Sequence, residues 1–139
     1  VGTRRVAARW GRSESPEGLV GGRQVSKPDG GPGRVALVVG GGGEKVADDR
    51  RGRSGAGSRG GGAVVWSCDP MQMTTVSMNG YKTRPFDRIL REVETFFAIH
   101  RAEGTHAGGI HIEMTGKNVT ECTGGARAVT AESLSDRYH

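Results

Sequence analysis

The residues best suited to chemistry follow short apolar runs in the second half of the chain. Cys68 and Asp69 come just after the run AVVW, and His111 and Glu113 alternate with isoleucines in GGIHIEM. A carboxylate at the end of a strand, facing a pocket, is a natural ligand for a hard cation or a general base. The alternative for Glu113 is a charge at the rim of a sheet that carries no chemistry.

A second set of polar residues supplies cations and imidazoles. Lys82 and Arg84 precede a strongly periodic segment, so they could lie beside a phosphate at the N-terminus of a helix, although basic residues in loops usually face only solvent. Three histidines between residues 100 and 111 suggest a metal cluster with Glu113. Their spacing matches no zinc signature, and His100 is expected to face outwards from the end of a helix.

Strands and a helix must bring these residues together. Apolar or β-branched runs predict strands at residues 34–39, 63–66 and 108–114. Between the last two, a helix is predicted over PFDRILREVETFFAIHRAEG, with Pro85 in its first turn and Gly104 as its stop. The apolar residues that form one face of this helix are Phe86, Ile89, Leu90, Val93, Phe96 and Phe97.

The order of these elements predicts an α/β fold. A last helix is expected to start at Thr130, so that strand, helix, strand and helix alternate along the second half of the chain. This alternation is typical of parallel-sheet proteins. In a barrel of such units, chemistry collects at the carboxyl ends of the strands because the loops converge there.

Composition limits what the chain can be. The length of 139 residues suits one domain, but 25 residues are glycine and only 34% are hydrophobic, which makes a full-size core hard to build. No run of 18 apolar residues exists and the first residues lack a signal-peptide pattern, so we expect a cytoplasmic protein without membrane contact. Cys68 and Cys122 are expected to be free thiols.

Charge and glycine divide the chain into two parts. Residues 1–62 hold 12 Lys or Arg against 6 Asp or Glu and 18 of the glycines. An Arg/Gly-rich nucleic-acid arm is one interpretation, but Trp10 is the only aromatic residue there, so a poorly ordered loop region is favoured. The glycines of residues 40–62 lack the lysine and hydroxyl of a phosphate loop.

Three long motifs resemble one enzyme family. VVWSCDPM (64–71), NGYKTRPFDRI (79–89) and GTHAGGIHIEMTGKNVTECTGGA (104–126) are similar, in order, to the last third of class II 3-deoxy-D-arabino-heptulosonate 7-phosphate (DAHP) synthases. A weaker similarity at PGRVAL (32–37) and at residues 15–17 suggests that the resemblance reaches the N-terminus.

The resemblance implies a fold and an activity. The family fold would be a (β/α)8 barrel, of which this chain would hold roughly the later half with the last strand missing. Residues 1–62 would be a degenerate, largely irregular Gly/Arg-rich part, and residues 63–139 a barrel segment. The activity would be condensation of phosphoenolpyruvate with erythrose 4-phosphate, the first step of the shikimate pathway to chorismate and the aromatic amino acids. A divalent metal, manganese or cobalt, would polarise the aldehyde.

The same resemblance implies site residues. Arg9, Lys82 and Arg84 fall at substrate-binding positions, and Glu113 falls at a metal-ligand carboxylate. Gln72 stands where the family has a metal-ligand histidine, and its neutral amide is a poor replacement. Of four expected ligands only Glu113 is found, so the chain alone is expected to be weakly active or inactive.

Two alternatives stay open at this stage. One is a noncatalytic fragment that binds a phosphorylated metabolite or docks on a full-length synthase. The other concerns origin: the Gly, Arg, Ala and Asp of residues 40–62 are what GC-rich codons give when read out of frame, so the chain is hypothesised to be a fragment or a damaged reading of a synthase gene. An open half-barrel is also compatible with a homo-oligomer.

Overall fold

The computed structural model describes residues 6–10, 35–40 and 65–139, with residues 6–10 described as backbone only. A parallel sheet contains the strands β1 (Val6–Trp10), β2 (Val35–Val39), β3 (Val65–Cys68) and β6 (Ala107–Ile110). A smaller sheet contains β4 (Val76–Met78), β5 (Tyr81–Pro85) and β7 (Cys122–Thr123). One α-helix, α1 (Phe86–Ala102), and a 3-10 helix (Glu132–Asp136) complete the described part.

The larger sheet aligns the carboxyl ends of its strands. Its order is β1-β2-β3-β6, and all three pairings are parallel. The register places Trp10 opposite Val39, Val39 opposite Cys68, and Cys68 opposite Ile110. The predicted α/β class is therefore confirmed, while closure into a barrel stays a prediction. The strand at residues 6–10 was not among those that the sequence predicted.

The core lies between one face of this sheet and α1. Burial alternates along β2 and β3, as expected for strands with one covered face. Phe96 of α1 is fully buried against this face. The buried sheet residues around it are Val35, Leu37, Val39, Trp66 and Cys68.

The helix predicted from periodicity is present, but its buried face differs from the predicted one. It runs from Phe86 to Ala102 between Pro85 and Glu103. Phe86 is 43% exposed because it lies beside Gly124 and Gly125 rather than over the larger sheet. Leu90 and Phe97 are also exposed, and the residues actually buried are Glu92, Phe96, Ile99 and His100.

The prediction that His100 faces outwards is wrong. The side chain is buried, and its Nδ1 lies 2.6 Å from the hydroxyl of Thr105. Its ring packs edge-on against Phe96, with centroids 4.4 Å apart, and tilted against Trp66 at 6.0 Å. A partner for the polar atom and two aromatic neighbours make burial of the imidazole favourable here.

The segment before α1 forms a hairpin that the sequence analysis did not predict. β4 and β5 pair antiparallel, and Asn79 and Gly80 connect them with φ angles of 50° and 83°. Asn-Gly with both φ positive is the typical two-residue hairpin turn. β7 then pairs in parallel with β5 at Arg84.

The other two predicted elements are shorter than expected. β6 ends at Ile110, because β3 leaves the sheet at Pro70 and offers no further partner. Ile112 and Glu113 are consequently exposed beyond the strand. The helix expected at Thr130 is instead the 3-10 helix. Just before it, the Thr130 N–H donates to Ser133 Oγ at 3.0 Å. No described helix has the length and apolar character needed to cross a membrane.

Candidate functional site

The ends of β3 and β6 bring an aspartate and a histidine together. The ladder extends one residue past each strand: Asp69 N–H donates to the carbonyl of Val39 at 2.7 Å, and His111 N–H donates to that of Cys68 at 2.6 Å. Asp69 Oδ2 lies 3.7 Å from His111 Nδ1. The carboxylate is buried and the imidazole is half exposed, so the pair could orient a histidine toward solvent.

Met71 connects three parts of the site. Its N–H donates to Asp69 Oδ1 at 3.2 Å, and its carbonyl accepts a bond from Arg84 Nε at 3.0 Å. Its thioether sulfur accepts the N–H of Glu113 at 3.2 Å. The loop after β3 is therefore bonded both to β5 and to the segment after β6.

Arg84 and Glu113 form an ion pair at this junction. Arg84 Nη2 lies 3.6 Å from Glu113 Oε2, with side chains that are 25% and 56% exposed. A pair this exposed contributes at most about 1 kcal/mol to stability. Its main effect is geometric, since it holds a guanidinium and a carboxylate side by side.

These two residues line a cavity of about 540 Å³. Lys117 and Arg127 add two more cations to its wall, while Glu121 adds a second carboxylate. Three cations against two carboxylates favour an anionic ligand. Other lining residues are Met71, Phe86, Met114, Thr115, Val119, Cys122, Gly124, Gly125, Ala126, Val129 and His139.

Two cations of the cavity wall each have a polar neighbour. Lys117 Nζ lies 3.0 Å from His139 Nε2, and Arg127 Nη1 donates to Asn118 Oδ1. These contacts are exposed, so water or a ligand can replace them with little loss.

Cys122 is a poor nucleophile in this wall. Burial raises the pKa of its thiol; nearby Arg84 lowers the pKa, and Glu121 raises it further. The net shift is upward, which keeps the thiol protonated at neutral pH and unreactive. Neither Cys68 nor Cys122 is in a disulfide among the described residues.

The structure brings together only some of the predicted substrate residues. Arg84 lies in the cavity with Glu113, whereas Lys82 is exposed on β5 and is not among the lining residues. The Lys82 carbonyl accepts the hydroxyl of Tyr138 at 2.7 Å. Arg9 lies in β1 opposite Val38, and its side chain falls outside the described part of the structure.

The predicted metal ligands do not form a fitting donor set. Gln72 is exposed and lies against Gly40, where an added Cβ would come within 3.0 Å of Gln72 Oε1. Glu113 instead faces Arg84. No group of three or more His, Cys, Asp or Glu residues within the described ranges could hold a metal ion.

Sequence reasoning missed two contributors to the site. Met71 belongs to the VVWSCDPM motif, but nothing marks it as a site residue, because contacts made by its backbone and sulfur leave no pattern in the sequence. Arg127 reaches the cavity through the turn after β7, where Gly124 and Gly125 have φ angles of 78° and 69°. The Gly-Gly pair was a usable signal for that turn.

Comparison with known proteins decides the family. A sequence model of the Class-II DAHP synthetase family matches residues 5–139. The chain belongs to this family. The match includes the Gly-rich residues 40–62, so the resemblance does extend through the N-terminal half as the weaker motifs suggested.

Two curated relatives support the assignment to the class II DAHP synthetases. The chain is 44% identical over 134 residues to phospho-2-dehydro-3-deoxyheptonate aldolase AroG of Mycolicibacterium smegmatis, covering 96% of this chain and 29% of the relative. It is 41% identical over 112 residues to phospho-2-dehydro-3-deoxyheptonate aldolase of Streptomyces coelicolor, covering 80% of this chain and 25% of the relative. The chain thus spans less than a third of the length of either protein.

Proposed function

We propose that this chain is a partial DAHP synthase whose cavity forms one wall of a site for phosphorylated substrates. In this proposal the substrates are phosphoenolpyruvate and erythrose 4-phosphate, condensed in the first step of aromatic amino acid biosynthesis in the cytoplasm. The observation that carries the proposal is the cavity at the carboxyl end of the parallel sheet, where Arg84 lies beside Glu113. Family membership over residues 5–139 supports it.

Phosphate binding is assigned to the cations of the cavity. Arg84 has the firmest position, because its Nε is bonded to the Met71 carbonyl while its other nitrogens are left for a ligand and for Glu113. Guanidinium groups suit phosphate oxygens because they donate two hydrogen bonds in one plane. Lys117 and Arg127 would add charge, and Lys82 and Arg9 stay proposals from the family resemblance.

The chain alone is proposed to bind without efficient catalysis. A (β/α)8 barrel and a manganese or cobalt ion stay predictions from the family. The ion would act as a Lewis acid on an aldehyde. Since the donors Glu113 and Gln72 do not fit a metal site, no step is assigned to a metal here. This mismatch favours the second candidate function, a noncatalytic fragment that binds a phosphorylated metabolite.

Two measurements on the full 139-residue chain test the proposal. Binding of phosphoenolpyruvate and of inorganic phosphate is measured by calorimetry, and condensation is measured as consumption of phosphoenolpyruvate with erythrose 4-phosphate and Mn²⁺. We expect binding of both ligands with little or no turnover. Rapid turnover would contradict the noncatalytic assignment, and no binding of either ligand would contradict the site itself.

A matched pair of variants locates the binding. Arg84→Gln removes a cation from the cavity and is expected to weaken phosphate binding by roughly tenfold or more, the effect of losing a charged hydrogen bond. Arg88→Gln removes the same charge from an exposed position on α1 outside the cavity lining. Equal losses in the two variants would mean that phosphate responds only to net charge.

A further inference from the structure

Three of the four hydrogen bonds of Met71 converge on the cavity; in the fourth, its carbonyl also accepts the Thr75 hydroxyl at 3.5 Å. The residue is only 7% exposed. Its N–H is held by Asp69, its carbonyl holds Arg84, and its sulfur accepts the N–H of Glu113. One residue therefore contacts both members of the ion pair and is itself fixed by a buried carboxylate.

We propose that Met71 is a positioning residue that sets the relative placement of Arg84 and Glu113 through its carbonyl and its thioether. The inference rests on the proposed function, because it assigns the cavity to anion binding. Neither the carbonyl nor the thioether needs to touch the ligand. Their effect is to bring a guanidinium from β5 and a carboxylate from the segment after β6 to the same wall.

The thioether contact matters because Glu113 lies beyond the end of the sheet. The β3–β6 ladder stops with the bond from His111 N–H to the Cys68 carbonyl, so two residues later the backbone has no strand of that sheet beside it. The Glu113 N–H donates to Met71 Sδ at 3.2 Å, and this contact ties the segment back to the loop after β3. Sulfur is a weak acceptor, but here the buried side chain keeps it in place.

The carbonyl contact fixes Arg84 from the other side. A long arginine side chain loses rotamer freedom when it binds a ligand, which weakens binding. The bond from Arg84 Nε to the Met71 carbonyl at 3.0 Å restricts the side chain beforehand. Any shift of the loop at Met71 would therefore move both charged groups.

The competing explanation is that Met71 only fills space. Methionine often packs irregular gaps, and leucine then replaces it at little cost. The two explanations differ at the Glu113 amide, because leucine keeps the volume but offers no acceptor.

The test uses the full ¹⁵N-labelled chain and follows the Glu113 amide. In Met71→Leu we expect the Glu113 amide proton to move upfield and its exchange with solvent to accelerate roughly fivefold, as for loss of one hydrogen bond. The dissociation constant for inorganic phosphate is expected to fall by about two- to fivefold, because leucine keeps the carbonyl that holds Arg84 and frees only Glu113, the carboxylate that repels the anion. Met73→Leu, at a residue that is 38% exposed and outside the cavity lining, should leave both readouts unchanged.

A rescue variant separates positioning from packing. Glutamine has nearly the length of methionine and offers a carbonyl oxygen, so Met71→Gln should restore slow exchange of the Glu113 amide. An unchanged Glu113 amide in Met71→Leu would overturn the proposal, as would equal behaviour of the Leu and Gln variants. Where neither variant folds, a Glu113 amide in the unmodified chain that exchanges as fast as an unstructured peptide would overturn it.

Failure of the proposed function is recognised separately. If the unmodified chain binds no phosphate, the cavity is not an anion site. If it binds phosphate and Met71→Leu changes the Glu113 amide but not the affinity, the residue orders the segment without positioning the site, and the inference is overturned while the function stands.

Discussion

The carboxylate of Glu113 lies within 3.6 Å of Arg84 on the wall of the cavity. An anion approaching that guanidinium is therefore repelled by Glu113. Glu113→Gln keeps the shape of the side chain and removes the charge, so we expect phosphate to bind up to about fivefold more tightly at low salt. Calorimetric titration of the variant with inorganic phosphate measures this.

The same variant also distinguishes direct binding from binding through a metal. If Glu113 held a cation that in turn held the phosphate, its neutralisation would weaken binding instead of strengthening it. Glu94→Gln is the matched control, since Glu94 is an exposed carboxylate on α1 that does not line the cavity. Weaker binding in Glu113→Gln alone would contradict direct binding by Arg84.

The thiol of Cys122 gives a prediction about pH. Burial is the main cause of its raised pKa, and Arg84 opposes the shift. We expect alkylation by iodoacetamide to be slower than for a free cysteine at pH 8 and to accelerate only at higher pH. Because Arg84 lowers the pKa, Arg84→Gln should move this acceleration to still higher pH. Mass spectrometry of the modified residue follows both, and an unchanged profile in the variant would contradict the contact.

The raised pKa also has a consequence for stability. The unfolded thiol loses its proton at a lower pH than the folded thiol does. The contribution of the Cys122 thiol to the free energy of unfolding is therefore complete below the ordinary thiol pKa. It is lost as the pH rises through the pKa of the thiol in the folded state.

At the scale of elements, the approach of β6 to β3 depends on Gly108. A Cβ on this residue would collide with Val65 Cγ1 and lie 2.8 Å from the Trp66 carbonyl oxygen. The register also shifts here, at Trp66 and Ser67. Gly108→Ala is expected to destabilise the chain by about 1–3 kcal/mol through this overlap, measured by urea denaturation.

The position of Gly108 links this element to the site. Separation of β6 from β3 would move His111 and Glu113 away from Asp69 and Met71, so weaker phosphate binding should accompany the loss of stability. Gly116→Ala is the control, because a Cβ there meets no atom within 4 Å. Equal stability of the two alanine variants would mean that the sheet accommodates a Cβ at residue 108 without loss of stability, and it would contradict this prediction.

The elements show which sequence signals were sufficient. The periodicity of α1 predicted its existence, yet its exposed Phe86 could not be foreseen, because residue 86 packs near glycines 124 and 125, which are distant in the sequence. The hairpin turn lies at Asn79 and Gly80, a dipeptide that is a hairpin signal in the sequence alone. Local pattern identifies an element, whereas the face that it buries depends on the partners that the fold supplies.

In the site too, some residues could be predicted from the sequence and others depend on contacts that only the fold creates. Arg84 and Glu113 were singled out by residue type and position and then by the family resemblance, and the structure places them in contact. Met71 could not be identified from the sequence, since its role depends on a carbonyl, an amide and a sulfur whose directions only the fold determines. Lys82, two residues before Arg84 on β5, was paired with it by the resemblance but lies outside the cavity lining.

At the scale of the whole molecule, the chain spans less than a third of the length of the two relatives, and its described residues include one four-stranded parallel sheet. The described residues bring together no group of three or more His, Cys, Asp or Glu side chains that could hold a metal ion. With Glu113 as its one strong oxygen donor among the expected ligands and the amide of Gln72 as a weak one, we expect Mn²⁺ to bind with a dissociation constant of about 1 mM or weaker.

Titration of the full chain with Mn²⁺, followed by electron paramagnetic resonance, measures this affinity, and far-ultraviolet circular dichroism of the same sample shows whether the α/β fold is formed. The result also decides between the two candidate functions. Weak Mn²⁺ binding by a folded chain that still binds phosphate would mean that phosphate recognition in this cavity does not depend on a metal. Micromolar Mn²⁺ binding would contradict the prediction, and its loss in Glu113→Gln would then return that carboxylate to the role of metal ligand that the family resemblance implies.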